Sequence, residues 1–332
     1  MRKWQIDAFD LGSLALVEVP MPTLDTGEVL VKVKAVSLNY RDLLLTGNRS
    51  PWQPPLPFTP CSDLSGTIEA VGPGVSRWKP GDRVVSTFVG GWIDGTAPAE
   101  AVLLGGPGPG ALATHAVLDQ QWLVSAPASL SDEEASTLPC AALTAWFGLV
   151  EHGHVKAGDT VLIHGTGGVA LFGLLFARMH GAQVIVVSQS LDKRKAVLSL
   201  GATHALPRDA DWPAEVKRLT GGRGVEHVLE TVGGSNLGRS LSVVSQSGRV
   251  SMIGVIAGGG LEASAGDFIR NRAVVQGLSV GHRRGLEDMI RAIDANKVRP
   301  VIADTYDFAA VPEAFQHLER GAFGKVVVTL AD

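Results

Sequence analysis

Gly165, Thr166, Gly167, Gly168, Val169 and Ala170 form a G-x-G-x-x-A turn between the apolar run Val161–His164 and an apolar, helix-like stretch reaching His180. In such a turn the first glycine permits the tight bend and the second lets backbone approach a phosphate. The small last residue lets helix and strand pack closely. The free N–H groups and positive dipole end of the following helix then face a pyrophosphate. The chemistry expected here is the binding of a dinucleotide. The next apolar run, Val184–Val187, ends in Ser188-Gln-Ser190, without the acid that takes a ribose 2′-hydroxyl in NAD sites. Asp192 is nearby but reads as the first-turn acid of the next helix.

Two other groupings invite a chemical reading and support a plainer one. Glu151-His-Gly-His154 has the look of a chelate, yet it lies in the turn entering the strand at Thr160 and reads as solvated loop imidazoles. Cys140 lies in an apolar run with no evident base and reads as a small buried thiol rather than a nucleophile.

A glycine turn works only between a strand and a helix, and the chain supplies both repeatedly. From about Ser131, whose hydroxyl forms a capping box with Glu134, strand-like and helix-like stretches alternate. They are Leu191–Leu200, His204–Leu206, Trp212–Leu219, Val225–Val232, Leu237–Val244, Arg249–Val255 and Ala273–Val280. Such alternation builds a parallel sheet covered by helices on both faces. Before about Leu123 the pattern is one of short alternating strands, such as Val29–Val36 and Ser65–Val71, between dense turn residues. Gly90–Gly110 reads as a Gly/Pro-rich surface loop. The last run, Lys325–Leu330, follows completion of the parallel sheet and is expected to return to the first domain. The expected fold class is α/β: a mainly antiparallel β domain over 1–123, completed by about 282–332, and a doubly wound parallel-sheet domain over 124–281. A cleft between them is the usual place for a small ligand. No internal repeat is evident.

The 332 residues suffice for two domains with real cores, and 45% hydrophobic with 19% charged residues argues against disorder. A net charge of −4 offers no electrostatic footprint for nucleic acid or an anionic membrane. Two cysteines form no disulfide framework and point to a reducing compartment. The start of the chain lacks the apolar core of a signal peptide, and the longest apolar runs fall short of a bilayer span. A cytoplasmic protein is expected.

In their order along the chain, further motifs resemble one family. They are Ser37-Leu-Asn-Tyr-Arg-Asp42, Asp63-Leu-Ser-Gly66 leading to Ala70-Val-Gly72, Pro80-Gly-Asp-Arg-Val84, and Leu138-Pro-Cys-Ala-Ala-Leu-Thr-Ala-Trp146. Gly158–Ala170, Leu200-Gly-Ala202, Val280-Gly-His-Arg283 and Gly324-Lys-Val-Val-Val328 complete the series. Together they resemble the medium-chain dehydrogenase/reductase superfamily, in its zinc-independent, quinone-oxidoreductase-like and alcohol-dehydrogenase-like branch. The resemblance implies a GroES-like first domain, a Rossmann second domain, hydride transfer from a nicotinamide cofactor, a small-molecule substrate and commonly a homodimer.

It also assigns residues. Zinc-dependent relatives place a Cys where this chain has Asn39, a His where it has Ser62, and a Cys at Cys140. Two neutral oxygens and one thiolate are a poor zinc set, and the cysteines of a structural zinc lobe are missing, so no metal is expected. Lys193 falls where similar NADPH-dependent members bind phosphate, and with Ser188, Ser190 and the adjoining Arg194 it implies NADP(H) over NAD(H). The plainer reading is a solvated basic helix face. Arg208 replaces a Tyr that relatives often stack on adenosine. Thr144, Val232, Gly254, Val255, Ile256, Val280 and Gly281 carry over as further cofactor contacts. Gly324 and Lys325 are weaker candidates, Lys325 being open to a reading as surface charge. Without zinc, a hydrogen-bond donor must meet the negative oxygen that develops in hydride transfer. The candidates are Asn39, Tyr40 and Arg41, the last two also readable as packing with an Asp42 ion pair. Trp52 and the Gly90–Gly110 loop are candidates to shape the substrate pocket. Three readings remain: an NADPH-dependent reductase of a quinone, enone or other activated carbonyl compound, a zinc-free alcohol dehydrogenase, and a non-catalytic NADPH-binding protein.

Overall fold

The computed structural model describes residues 1–50 and 53–330, and it separates into two compact units. One runs from Met1 to Leu143 and resumes at Val280; the other is Thr144–Ser279. Trp52 lies outside the described residues.

The first unit opens with an antiparallel hairpin, β1 (Arg2–Ile6) with β2 (Leu14–Glu18). Then come β3 (Glu28–Ser37), β4 (Asp63–Val71) and β5 (Arg83–Ser86). The minor pair β6 (Val89–Gly90) and β7 (Val102–Leu103) precedes β8 (His115–Asp119) and β9 (Leu123–Ser125). Strand β3 is the spine: Val29, Val31 and Val33 enter one core with Leu64, Ile68, Val84, Leu118 and Leu123. The segment 124–143, which the change of rhythm assigns to the second domain, belongs here. Its helix Asp132–Ser136 carries the expected capping box, with Ser131 Oγ accepting from Glu134 N and Glu134 Oε2 from Ser131 N. Asp132 ties it to the sheet by accepting from Arg83 Nη2 at 2.8 Å and Ser65 Oγ at 3.0 Å.

The second unit is a six-stranded, all-parallel sheet: β10 (Thr160–His164), β11 (Gln183–Val187), β12 (His204–Leu206), β13 (Val225–Glu230), β14 (Val244–Met252) and β15 (Val274–Gly277). Their spatial order is β12-β11-β10-β13-β14-β15. The chain therefore works outward from β10 in one direction, then from β13 in the other, and ligands of such sheets lie beyond the strand ends at that reversal. The runs Val-Leu-Ile and Val-Ile-Val-Val are continuous rather than alternating because helices bury both faces. Strand β13 stops at Glu230, short of the expected Val232, because the Glu230 carboxylate turns back to accept from the N–H groups of Val232 (2.9 Å) and Gly233 (3.2 Å).

The chain then returns to the first unit through the helix Arg283–Asn296, β16 (Ile302–Asp307), the helix Val311–Arg320 and β17 (Lys325–Thr329). Strand β17 pairs antiparallel with β3, Val327 opposite Ser37 and Val328 opposite Val36. The resulting sheet runs β16-β17-β3-β4-β5-β9, with β8 also on β3. Among the described residues no helix is long and apolar enough to cross a membrane.

Candidate active site and nucleotide turn

In the second unit, β10 ends at His164 and Gly165 takes φ +83°, its N–H bonded to Val187 O at 2.8 Å. A side chain is disfavoured there by the backbone itself. At Gly167, the cap of the helix Gly168–Met179, a Cβ would meet nothing within 4 Å. That open backbone is the cradle a phosphate needs, and no acid stands in the first helical turn to oppose it. Thr166 and Ala170 are buried, and Val169 half-buried. The tight contact of helix and sheet, expected at Ala170, falls one turn later at Gly173: a Cβ there would lie 2.3 Å from Leu229 Cδ1.

Beyond β11, Ser188 is buried and its N–H bonds Leu206 O. Ser190 Oγ caps the helix Leu191–Ser199 by accepting from Lys193 N at 3.3 Å. Arg194 Nη1 donates to the carbonyls of Ser188 (2.9 Å) and Gln189 (2.7 Å), so its guanidinium braces this turn. Arg208 is exposed just past β12, the strand beside β11. Ser188, Ser190, Lys193 and Arg208 thus follow the ends of two adjacent strands. Past β13 and β14, Val232 O accepts from Ala257 N, and Val255 and Ile256 stand exposed. Gly254 is obligatory there: a Cβ would fall 2.0 Å from Thr231 O. Thr144 is buried on the short helix Leu143–Trp146, between two wider π-helical turns, Leu138–Ala142 and Phe147–Glu151. Val280 and Gly281 are buried in the first unit, Val280 at φ +58°, which is costly for a β-branched residue.

One group escaped the sequence reading. Glu230, fully buried, accepts from Ser240 Oγ (2.6 Å) and Asn236 Nδ2 (2.8 Å) besides the two backbone N–H groups. His164, bonded to Ser240 Oγ at 3.0 Å, has its pKa lowered by burial. Glu230 thereby fixes the Val232–Gly233 turn. The only signal for it was an acid ending an apolar strand before Gly233-Gly234.

The first unit holds a buried polar cluster where β3 ends. Asn39 N donates to Asp42 Oδ2 at 2.7 Å, half of a capping box for the helix Tyr40–Thr46. Lys325, far from being surface charge, is 3% exposed, and its Nζ donates to Asn39 Oδ1 (2.5 Å) and Leu38 O (2.7 Å). Asn39 Nδ2 is buried with no hydrogen-bond partner, although its amide lies close enough to Asp63 to favour that carboxylate. Asp63 Oδ1 accepts from Ser62 Oγ at 2.6 Å and Oδ2 from Cys140 N at 3.1 Å. Burial raises Asp63, and raises Asp42 to about 6. Cys61 is raised by burial and Asp42; Cys140, half-buried, is raised by its desolvating surroundings and Asp63. Tyr40 is exposed, whereas Arg41 Nη1 donates to Leu104 O at 2.8 Å and its guanidinium lies 4.8 Å from the Phe88 ring centroid. Arg41 therefore clamps the glycine-rich loop.

This donor set does not suit zinc. The Asn39 oxygen faces an ammonium, the Ser62 hydroxyl is spent on Asp63, and the nearby thiols are held protonated. Among the described residues no group of three or more His, Cys, Asp or Glu is arranged to hold a metal. At the Glu151–His154 turn, Glu151 Oε1 instead accepts from Trp146 Nε1 at 3.0 Å.

Known proteins resemble the chain over nearly its whole length. Residues 25–128 match the alcohol dehydrogenase GroES-like domain, and 168–295 match the domain described as zinc-binding dehydrogenase. A zinc-type alcohol dehydrogenase-like protein of Schizosaccharomyces pombe is 40% identical over 98% of this chain and 97% of its own. The quinone oxidoreductase of Homo sapiens is 28% identical over 95% of this chain and 92% of its own. A crystal structure of a Sinorhizobium meliloti protein assigned to the alcohol dehydrogenases superposes with a TM-score of 0.95 at 48% identity, covering 99% of this chain and 98% of the other. With a GroES-like unit, a parallel nucleotide sheet and relatives matched from end to end, the chain belongs to the medium-chain dehydrogenase/reductase superfamily and is an NAD(P)H-dependent oxidoreductase.

Proposed function

We propose that the protein is an NADPH-dependent reductase that delivers hydride to a quinone, an enone or another activated carbonyl compound without a catalytic metal. The observation that carries this reading is Asn39 Nδ2, a buried donor that meets no acceptor within hydrogen-bond distance, with the Asp63 carboxylate beyond it, at the position where zinc-dependent relatives place a ligand. Bound reduced nicotinamide supplies the hydride. As it reaches the acceptor carbon, an electron pair moves onto the acceptor oxygen, and a proton from solvent completes the reduction. The amide N–H of Asn39 meets that oxygen; an unpaired, desolvated donor is worth most where charge develops. Tyr40 is exposed enough to touch substrate, whereas Arg41 is committed to Leu104 and Phe88.

Gly165 to Ala170 hold the pyrophosphate, and Gly167 offers the open backbone for it. Thr144 bonds near the nicotinamide end, Val280 and Gly281 flank its carboxamide, and Val232, Gly254, Val255 and Ile256, past β13 and β14, are further cofactor contacts. Preference for the 2′-phosphate rests on Ser188, Ser190, Lys193 and Arg208, with no acid at the end of β11. Charge-assisted bonds of about 1.5–3 kcal/mol each would favour NADPH by about a few hundredfold or more if two formed. A homodimer through the open edge of β15, where Val274 and Ile269 stand exposed, fits the family. Two free thiols suit the cytoplasm.

The test follows nicotinamide absorbance with NADPH or NADH against menadione and methyl vinyl ketone, and with NADP⁺ or NAD⁺ against short alcohols. Turnover with the acceptors and NADPH is expected. Oxidation of alcohols alone would make it a dehydrogenase, and binding without turnover a non-catalytic protein. Asn39→Ala should lower kcat/KM about tenfold or more; an unchanged value removes Asn39 from the chemistry.

A further inference from the structure

We propose that Lys325 is a positioning residue that locks the Asn39 amide with its nitrogen turned away from the ammonium. The inference deepens the role assigned to Asn39 and rests on it. A side-chain amide presents an acceptor at one end and two donors at the other, and rotation by half a turn exchanges them. An ammonium can only donate. With Nζ at 2.5 Å, the Asn39 end facing Lys325 must be Oδ1, so Nδ2 points away. The reversed amide would bring N–H against ammonium and place a carbonyl where the acceptor oxygen gathers charge. The lysine thus turns an ambivalent side chain into a dedicated donor.

The fold holds Lys325 to that task. The pairing of β17 with β3 brings Lys325 beside the end of β3, where Leu38 N bonds Val326 O at 3.0 Å. A second N–H of Nζ is fixed on Leu38 O. The preceding Gly324 takes φ +92°, and a Cβ on it would lie 2.2 Å from Val301 O, so the approach to Lys325 requires glycine. The charged groups that feel the ammonium are Asp42 and Asp63, with the thiols of Cys61 and Cys140 beside them; Arg41 adds positive charge near Asp42. The two carboxylates make a buried ammonium tolerable. The built-in cation therefore lies against Asn39 and within electrostatic reach of Cys140, two of the positions that carry zinc ligands in metal-dependent relatives. It holds an amide donor in place and does not itself polarise the substrate.

The test uses the whole chain with Lys325→Met, Lys325→Arg and Asn39→Ala, each checked for folding by circular dichroism. With NADPH and menadione, Lys325→Met should lower kcat about tenfold while KM for NADPH stays within about twofold. Lys325→Arg, which keeps a donor toward Oδ1, should recover most of the loss. Introduced into Asn39→Ala, Lys325→Met should cost nothing further. Independently of activity, the side-chain ¹⁵N resonance of Asn39, assigned by its absence in Asn39→Ala, should move in Lys325→Met and stay near its wild-type position in Lys325→Arg. An unmoved resonance in Lys325→Met, or an unchanged kcat alongside a crippled Asn39→Ala, overturns the role of Lys325 and leaves Asn39 as the donor. If Asn39→Ala is fully active, the donor reading fails and the resonance alone decides whether Lys325 locks the amide. Should Lys325→Met not fold, Lys325→Leu, which likewise has no donor for Oδ1, takes its place in the same measurements.

Discussion

Asp42 shows what a single buried carboxyl costs when it organises a site. It caps the helix that presents Asn39, Tyr40 and Arg41, yet its Oδ1 has no partner, and burial lifts its pKa from 3.8 to about 6. Between those values the folded protein holds a proton that the unfolded chain has released. Stability from this group is therefore full below 3.8, falls as pH rises from there to about 6, and is level above that, a loss of about 3 kcal/mol at most. The substitution Asp42→Asn would keep an oxygen for the Asn39 N–H and carry no charge. Thermal melts of wild type and this variant at pH 5 and pH 7 check the point: the variant should gain on wild type at the higher pH. A constant difference would mean that the carboxyl is neutral, or comfortably charged, in both conditions. The nucleotide side offers a parallel case. Lys193→Ala should lower kcat/KM for NADPH about tenfold, the worth of one charge-assisted bond, and leave NADH nearly untouched. Equal losses with both coenzymes would return Lys193 to an ordinary helix face.

At the scale of elements, the meeting of the helix Gly168–Met179 with its sheet is set by one leucine between two glycines. Leu229 Cδ1 would lie 2.3 Å from a Cβ at Gly173, and its Cδ2 2.9 Å from a Cβ at Gly148. Turning Leu229 away from one position drives it toward the other, in a fully buried place. Gly173→Ala should therefore destabilise by about 1–3 kcal/mol despite its better helix propensity. Leu229→Val, which lacks both outer methyls, should restore part of that loss in the double variant. A differential scanning melt series reads the effect, and additive losses would count against it. The same contact marks how far the elements were legible. The turn Gly165–Ala170 could be read because its work is local: positive φ, an open approach and a helix start are all written within six residues. Gly173 could not, since its partner comes from β13, much later in the chain. Lys325 was hidden for the same reason. A lysine opening a strand looks solvated until the pairing of β17 with β3 buries it beside Asn39. Glu230 likewise ended its strand early through hydrogen bonds that no periodicity contains.

For the whole molecule, the two units carry buried titratable groups of opposite habit. In the first, Asp42 and Asp63 are raised by burial, so falling pH relieves them. In the second, His164 and His227 are lowered by burial from 6.5, so below that value the unfolded chain takes up protons that the folded unit refuses. Each unit's stability then moves its own way between about pH 4 and 6.5: the first holds or gains, the second loses. The lowered carboxyls do not blur this contrast: the contribution of Asp94, Asp159 and Asp294 is lost only below 3.8. That of the exposed Glu215, in the second unit, is lost only below 4.5 and in the same direction as the histidines. Mild acid should consequently loosen the nucleotide sheet before it touches the cluster around Asn39, and coenzyme binding should fail while the GroES-like unit stays folded. Amide exchange followed by mass spectrometry at pH 7 and pH 5, corrected for intrinsic rates, separates the two. Peptides from β13 and β14 should lose protection at pH 5, whereas those from β3 and β4 keep theirs. Parallel loss in both sets would mean that the molecule opens as a single cooperative block, and that neither pair of buried groups governs its own unit.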